Sequence, residues 1–259
     1  MRRQSLLAVF AHPDDESIAC GGLLARCAEQ GVGVTLVSVS RGEDGPQKER
    51  LGIEGLREVR TRELEDACRV LGVEELQFLD YPDGCLPWVD AVELTERLTD
   101  IIRRVQPDVV VTFGEDGLYW HPDHVAVHEA TRDAVFALGT DAPALYYVTM
   151  PPGQMQAVLA AAAPRLTASS RRDLLGIEDA AAFGAAAAPP TLVLHTGPFA
   201  ARKLSALRCH RTQVAGGPFD HLSAAEAETL LGVEHYRRAD IGATGPSFIE
   251  RLDAASLET

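Results

Sequence analysis

The chain has 259 residues, of which 46% are hydrophobic and 24% are charged, a composition typical of a folded domain and unlike that of a disordered or coiled-coil protein. Its 38 acidic residues outnumber its 24 Lys and Arg, and the resulting net charge of -14 repels a phosphate backbone, which argues against nucleic acid as a partner. No stretch approaches the length of an apolar membrane-spanning helix, so we expect no membrane span.

The cysteines are odd in number and form no CxxC pair, so the sequence indicates neither a disulfide framework nor a thiolate metal site. They are Cys20, Cys27, Cys68, Cys85 and Cys209. Such cysteine usage is typical of a reducing compartment, and we expect a cytoplasmic protein. The sequence leaves the oligomeric state open, and a homo-oligomer is compatible with it.

Short apolar runs rich in Val, Leu and Phe predict buried parallel strands. They cover residues 6–10, 34–39, 76–79 and 109–113. The intervening stretches, which have the three- and four-residue apolar spacing of crossover helices, cover 17–30, 54–71 and 89–105. Repeated strand–helix–strand units predict an α/β fold of the Rossmann-like, doubly wound type: a mostly parallel sheet with helices on both faces.

The second half of the chain has a weaker pattern. We expect a helix over 121–138 and a strand at 145–149, followed later by a strand at 191–194 and helices near 199–209 and 224–230. Residues 154–190 are rich in Ala and Pro and fit either a partly mobile insertion or a peripheral helix pair. We therefore expect residues 1–259 to form a single domain with a peripheral insertion at 154–190.

Two His-Pro-Asp motifs each follow a predicted strand, at residues 12–14 and 121–123. In an open α/β sheet the carboxyl ends of the strands form the ligand crevice, so both motifs are expected at the same edge. His12, Asp15 and His124 can supply the three nitrogen or oxygen ligands of a hydrolytic zinc site, which leaves a fourth position for water. The same ligand set also suits Fe²⁺.

The neighbouring carboxylates Asp14 and Asp15 point in different directions, so one can bind metal while the other faces water. This makes Asp14 the candidate general base. If His124 binds metal, His121 stands one helical turn away, where a substrate carbonyl would lie. A single Asp at a helix start is usually only a helix cap, and a single His-Pro-Asp tripeptide also occurs in J-domain co-chaperones. Two such motifs on one edge of the sheet, however, favour a functional site.

Six blocks of the sequence resemble, in the same order, the LmbE-like or PIG-L family of zinc-dependent N-acetylglucosaminyl deacetylases. They are AHPDDE (11–16), SRGEDG (40–45), VRTRELEDACRVLGV (59–73), YPDG (81–84), HPDH (121–124) and HRTQ (210–213). The resemblance implies zinc on His12, Asp15 and His124. It also implies that Asp14 is the general base and that His121 stabilises the oxyanion or donates a proton.

The same resemblance implies that Tyr119 approaches the oxyanion and that Asp123 tunes His121 by hydrogen bonding. Arg60 matches an arginine that reaches the active site in this family, and Asp83 a residue near the sugar hydroxyls, so both are candidate substrate-binding residues. The alternative role of Arg60 is a solvated helix charge, and that of Asp83 is a turn former.

Two further residues have no assigned role in the chemistry. Glu16 is expected to be a first-turn carboxylate favoured by the helix dipole. The HRTQ block departs from the commoner HxSQ form, which leaves the role of His210 open.

The sequence therefore predicts a metal-dependent hydrolase that removes the acetyl group from an N-acetylglucosamine-type conjugate, a small amino-sugar substrate, and releases a free amine. One alternative is a zinc amidase that cleaves a larger thiol–sugar conjugate with the same site. Another is a sugar- or nucleotide-binding Rossmann-like protein without turnover, although no GxGxxG motif follows the first strand. Deacetylases in the family act on several conjugates, and we expect the rim built by 154–190 to select among them.

Overall fold

Within residues 2–252, which the computed structural model describes, seven strands form one sheet. The strands are β1 (Ser5–Phe10), β2 (Gly33–Ser38), β3 (Glu75–Phe78), β4 (Val109–Phe113), β5 (Ala144–Thr149), β6 (Leu192–His195) and β7 (Val233–Gly242). Their order across the sheet is β3-β2-β1-β4-β5-β7-β6. Strand β7 is antiparallel to both of its neighbours, and the other pairings are parallel. The predicted α/β, mostly parallel sheet is confirmed.

Helices surround this sheet. They are α1 (Asp15–Glu29), α2 (Lys48–Leu51), α3 (Ile53–Leu71), α4 (Ala91–Val105), α5 (Gly117–Trp120), α6 (Pro122–Ala137), α7 (Gln154–Ala162), α8 (Ala200–Cys209), α9 (Arg211–Val214) and α10 (Ala224–Leu231). Of the helices in residues 2–252, none combines the length and apolar character that crossing a membrane demands. The chain's five cysteines are all free thiols, as their spacing predicts.

The direction of strand addition reverses between β1 and β4. Because parallel crossovers are right-handed, this reversal puts α1 and α3 on one face of the sheet and α4 and α6 on the other. The packing agrees, since α1 contacts α3 and α4 contacts α6. In a doubly wound sheet, the reversal opens a crevice at the carboxyl ends of the two central strands. Both His-Pro-Asp motifs begin at that crevice.

The strands predicted from apolar runs all form, and β1, β2, β4 and β5 are almost wholly buried, as strands covered on both faces must be. Strand β7 was not predicted. Its sequence, VEHYRRADIG, interrupts the apolar residues with charges, so it lacks the continuous run that identified the other strands. The strand still buries Tyr236 completely and Glu234 almost completely.

Residues 154–190 contain α7, a short helical turn at Ala163–Arg165 and then mostly irregular chain, in place of a helix pair. Within the irregular part, Leu174 and Ile177 form an isolated antiparallel bridge. Leu175, Ile177 and Phe183 line the cavity that contains the His-Pro-Asp motifs. This part of the segment therefore belongs to the cavity wall, not to the periphery. The seven strands between residues 5 and 242 form one continuous sheet, and a single domain over residues 1–259 stays a prediction.

The carboxylate of Glu234 in β7 pairs with Lys203 in α8 and also reaches a break in α1. The backbone of Cys20 leaves the helical region (φ -146°, ψ 21°). Two residues later, the N–H groups of Gly22 and Leu23 each donate to the carboxylate of Glu234, over 2.8 Å. The ammonium of Lys203 lies 2.6 Å from the same carboxylate, and both side chains are about 3% exposed. Glu234 thus supplies the acceptor that a buried helix break requires.

We expect Lys203→Met to lower the free energy of unfolding by about 3–5 kcal/mol, because it leaves the Glu234 carboxylate buried without its cation. The double variant Lys203→Met/Glu234→Gln removes both charges and should recover part of that loss. Urea unfolding followed by circular dichroism measures both effects. A loss below about 1 kcal/mol in the single variant, the range of exposed ion pairs, would contradict this assignment.

Candidate metal and active site

The residues that follow β1 and β4 meet at the crevice between these two strands. The chain enters α1 directly after β1 and places His12 and Asp15 there. After β4 it forms α5 and then α6, which carries His124 in its first turn. Residues more than 100 positions apart are thereby brought into contact, and the fold explains why.

Donor atoms of these three residues lie at similar separations, with Asp15 facing each histidine through a different carboxylate oxygen. Nδ1 of His12 is 3.2 Å from Nε2 of His124 and 3.5 Å from Oδ2 of Asp15, and Nε2 of His124 is 3.2 Å from Oδ1 of Asp15. Ligand atoms bound at about 2.0–2.1 Å to a tetrahedral ion lie about 3.3 Å apart. The two histidine nitrogens therefore have the spacing of ligands to one small divalent ion, and the Asp15 carboxylate lies beside both of them; all three side chains are buried.

The other nitrogen of each ring has a hydrogen-bond acceptor. Nδ1 of His124 donates to the carbonyl of Gly117 (3.0 Å), which leaves the Nε2 lone pair free for a metal. Nε2 of His12 lies 3.0 Å from Asp83 and 3.2 Å from Asp123, which leaves Nδ1 as its metal-binding atom. Metal-binding histidines are commonly oriented in this way. Burial lowers the pKa of His12, but Asp123, Asp15 and Asp83 together raise it well above its ordinary value, so a metal ion binds Nδ1 by displacing a proton.

The position of Asp123 differs from the sequence-based expectation. Its carboxylate contacts His12 and accepts the N–H groups of Gly84 (2.8 Å) and Leu86 (3.1 Å), while its contact with His121 is made by the backbone N–H. Asp123 therefore orients a metal-ligand candidate instead of tuning His121 through its carboxylate. This contact could not be read from the sequence, because it requires the 83–86 loop to reach the start of α6.

His121 caps the N-terminus of α6. Its Nδ1 accepts the N–H of Asp123 (3.2 Å), so a neutral ring carries its proton on Nε2. Burial, together with the charges of His124 and His12, lowers the pKa of His121 to about 4. The ring is therefore neutral near pH 7 and offers a fixed N–H donor.

Three histidines form an alternative ligand set. The ring nitrogens of His12, His121 and His124 all lie within 4.8 Å of one another.

Asp14 adopts a backbone conformation that is unusual for a residue with a side chain (φ 115°). It stands at the N-cap position of α1, yet its carboxylate makes no capping hydrogen bond, so the capping explanation of this residue does not hold. Burial raises the pKa of Asp14 to about 7, although Arg60 opposes that rise. Strain at a buried, uncapped carboxylate is typical of functional sites.

Arg60 and Tyr119 both line the same cavity. Arg60 is only 4% exposed, so it is not a solvated helix charge. Its guanidinium donates to Oδ2 of Asp14 (3.1 Å) and to the carbonyls of Gly42 and Pro13.

The ring of Tyr119 lies 5.2 Å from that of His124. Burial raises the pKa of Tyr119 well above its ordinary value, and Asp15 and Asp14 add to this rise, so the hydroxyl keeps its proton.

Glu16 and His210 form a buried support that the sequence did not identify. Nε2 of His210 lies 2.9 Å from one oxygen of Glu16, and the other oxygen accepts the N–H of Asp14 (3.0 Å). Both side chains are at most 1% exposed. The pair thus holds the strained backbone that presents Asp14. The HRTQ block was the available signal, but only the fold shows that His210 approaches Glu16.

The cavity above these residues has a volume of about 230 Å³. Its lining includes the site residues predicted from the sequence except Asp123 and His124, and it also lacks Glu16 and His210. Sequence reasoning missed several other lining residues: Ile18, Asp44, Leu175, Ile177, Phe183 and Gln213. Three of them lie in the segment for which no family match could be quoted, so no motif was available to identify them.

Comparison with known proteins finds a matching family and similar sequences. The family described as PIG-L: GlcNAc-PI de-N-acetylase matches residues 7–135, which include both His-Pro-Asp motifs. A 1D-myo-inositol 2-acetamido-2-deoxy-alpha-D-glucopyranoside deacetylase of Kineococcus radiotolerans is 34% identical, over 98% of this chain and 81% of its own length. A protein of the same name from Acidothermus cellulolyticus is 35% identical, over 90% of this chain and 88% of its own length.

Solved structures share the fold at lower identity. The N,N'-diacetylchitobiose deacetylase of Pyrococcus horikoshii is 20% identical and superposes with a TM-score of 0.66, covering 91% of this chain and 84% of its own. A 4-carboxy-2-hydroxymuconate hydratase, also 20% identical, superposes with a TM-score of 0.65 and covers 94% of this chain and 99% of its own. The fold thus supports more than one chemistry. The two sequence relatives, by contrast, are similar over most of their length, and on that ground the chain belongs to the PIG-L family.

Proposed function

We propose that this chain hydrolyses the N-acetyl group of an N-acetylglucosamine-type conjugate and releases acetate and a free amine. The proposed metal ligands are His12, Asp15 and His124, and the proposed ion is zinc, with Fe²⁺ as the alternative. The observation that carries the proposal is the cluster of donor atoms from His12, Asp15 and His124, 3.2–3.5 Å apart, beside the uncapped carboxylate of Asp14. The names of the two bacterial relatives supply the substrate class.

When bound, zinc would act as a Lewis acid that polarises the amide carbonyl and acidifies a water molecule. Asp14 accepts the proton of that water and passes it to the leaving amine; its raised pKa, about 7, suits a group that both accepts and donates near neutral pH. Arg60 contacts Oδ2 of Asp14 and holds the carboxylate in place. Glu16 performs the same task through the backbone of Asp14.

Negative charge develops on the carbonyl oxygen as the amide carbon becomes tetrahedral. The neutral ring of His121 presents Nε2–H, and the protonated hydroxyl of Tyr119 is a second donor in the same cavity. Donors that are already oriented stabilise such an oxyanion without further reorganisation. We therefore assign both residues to the oxyanion, with His121 acting as a neutral hydrogen-bond donor.

The sugar hydroxyls require acceptors, and carboxylates supply them. Asp83 and Asp44 line the cavity, and Oδ2 of Asp83 accepts the N–H of Asp44 (2.8 Å), which ties the two together. Asp83 also contacts His12, so a single carboxylate couples substrate binding to the orientation of a metal-ligand candidate. This dual contact supports Asp83 as a substrate-binding residue.

The direct experiment measures primary-amine release from N-acetylglucosamine, its glycosides and N,N'-diacetylchitobiose, with and without a chelator. We expect release of acetate and amine in equal amounts, loss of both after chelation, and recovery on adding Zn²⁺. Release of a larger acyl fragment from a thiol–sugar conjugate, without deacetylation, would instead indicate the amidase. Sugar binding with no amine released by the metal-loaded protein would contradict the proposal.

Metal analysis separates the ligands from the residues beside them. We expect His12→Ala and His124→Ala to lose most of the bound metal, and Asp14→Asn and His121→Ala to retain it while losing turnover. Elemental analysis of the purified variants, together with thermal unfolding to verify folding, measures this. Loss of metal from His121→Ala would favour the alternative set of three histidines.

The role of His121 can be tested with a neutral substitute. His121→Ala should lower kcat by about 10²–10³, the usual effect of removing one oriented oxyanion donor. His121→Gln keeps an N–H donor that cannot act as an acid, so we expect it to recover part of that loss at unchanged metal content. If Gln is as inactive as Ala across the pH profile, His121 serves as a proton donor.

A further inference from the structure

A tight hairpin forms part of the cavity wall. Leu174 and Ile177 exchange two backbone hydrogen bonds of 3.0 Å, and the two residues between them, Leu175 and Gly176, have φ angles of 57° and 85°. Positive φ at both central positions is the signature of a type I′ turn, in which Asn-Gly is the favoured pair. A leucine in the first position is unfavourable for the backbone, so local turn formation does not explain it.

The chain around the hairpin is held in place. The carboxylate of Asp173 accepts the N–H of Gly176 (2.9 Å) and pairs with the guanidinium of Arg171. At the far end of the wall, the N–H of Gly184 donates to the carbonyl of Leu118 (2.8 Å), in the short helix that precedes the second His-Pro-Asp motif. The wall is thus fixed relative to the catalytic candidates.

The hairpin lies at the outer end of the cavity. Gly176 is exposed, and a Cβ at this position would approach Pro46, another exposed residue, to 3.3 Å, so the hairpin tip meets the loop that follows β2. The metal-ligand candidates, in contrast, are buried at the inner end. Leu175 and Ile177 are only partly buried and line the cavity, so their apolar side chains are available to a bound molecule.

We propose that Leu175 and Ile177 form an apolar subsite that determines specificity. This subsite binds the group attached to the amino sugar, and it makes the chain prefer N-acetylglucosamine conjugates whose attached group is apolar. The inference rests on the proposed function, which puts the acetamide at the inner, metal-binding end and directs the rest of the conjugate past the hairpin. Apolar side chains at this position favour C–H surface over hydroxyl groups.

The test compares phenyl and methyl glycosides of N-acetylglucosamine with the same anomeric configuration. Binding to the metal-loaded full chain is measured by calorimetry, and kcat/KM by amine release. The wild type should prefer the phenyl glycoside by about tenfold in both, since one partly buried ring supplies about that much. Leu175→Asn provides the residue that the turn favours and removes the apolar side chain, so the ratio should fall to about twofold or less with no loss of thermal stability.

Ile177 and Glu178 provide two further variants. Ile177→Thr should also lower the phenyl-to-methyl ratio, and it tests the subsite independently of the turn. Glu178→Gln is the matched control: Glu178 is exposed, adjoins the hairpin and is not among the cavity-lining residues, so the tenfold ratio should persist. A ratio near one in the wild type, or an undiminished ratio in both Leu175→Asn and Ile177→Thr, would overturn the inference. A binding preference without amine release from either glycoside would refute the proposed function and leave the subsite standing.

Discussion

The arrangement of the site depends on the contacts that two carboxylates make with one imidazole. Nε2 of His12 lies between Asp83, from the loop after β3, and Asp123, from the first turn of α6. These contacts join three separate parts of the chain and turn Nδ1 of His12 towards His124 and Asp15. A ring held in this way cannot rotate without breaking contacts with both carboxylates. The position of the donor atoms is therefore a property of the assembled sheet edge and not of any single motif.

The two adjacent aspartates illustrate how burial and neighbours separate two chemically identical groups. Burial opposes ionisation of both, but His124 and His12 hold the pKa of Asp15 far below its ordinary value, whereas the pKa of Asp14 rises to about 7. One carboxylate is thus kept ionised, as a metal ligand must be, and the other is poised to exchange a proton. The two environments differ over one residue of sequence, at the point where the backbone of Asp14 has a positive φ of 115°.

Much of this architecture could be predicted from the sequence, because buried parallel strands are continuous apolar runs and the candidate ligands follow two of them directly. The strand β7 was missed because Arg237 and Arg238 interrupt its pattern. The acceptor for Nε2 of His12 and the pairing of Glu16 with His210 were missed for another reason: each joins residues that meet only in the folded chain. The hairpin around Leu175 lacks the Asn-Gly pair that would have predicted it, since its first central residue is one that the turn disfavours.

The kink in α1 ties the first motif to the last strand of the sheet. The N–H of Gly22 finds its acceptor in Glu234, 212 residues later. A nascent chain that has emerged only as far as residue 150 contains every proposed metal ligand and most of the parallel sheet, yet two amides in the helix that begins at the site still lack their partner. Contacts of such long sequence separation form late, because the intervening loop must first be closed. The two hydrogen bonds at the break in this helix therefore form only once the final strand has been synthesised and docked.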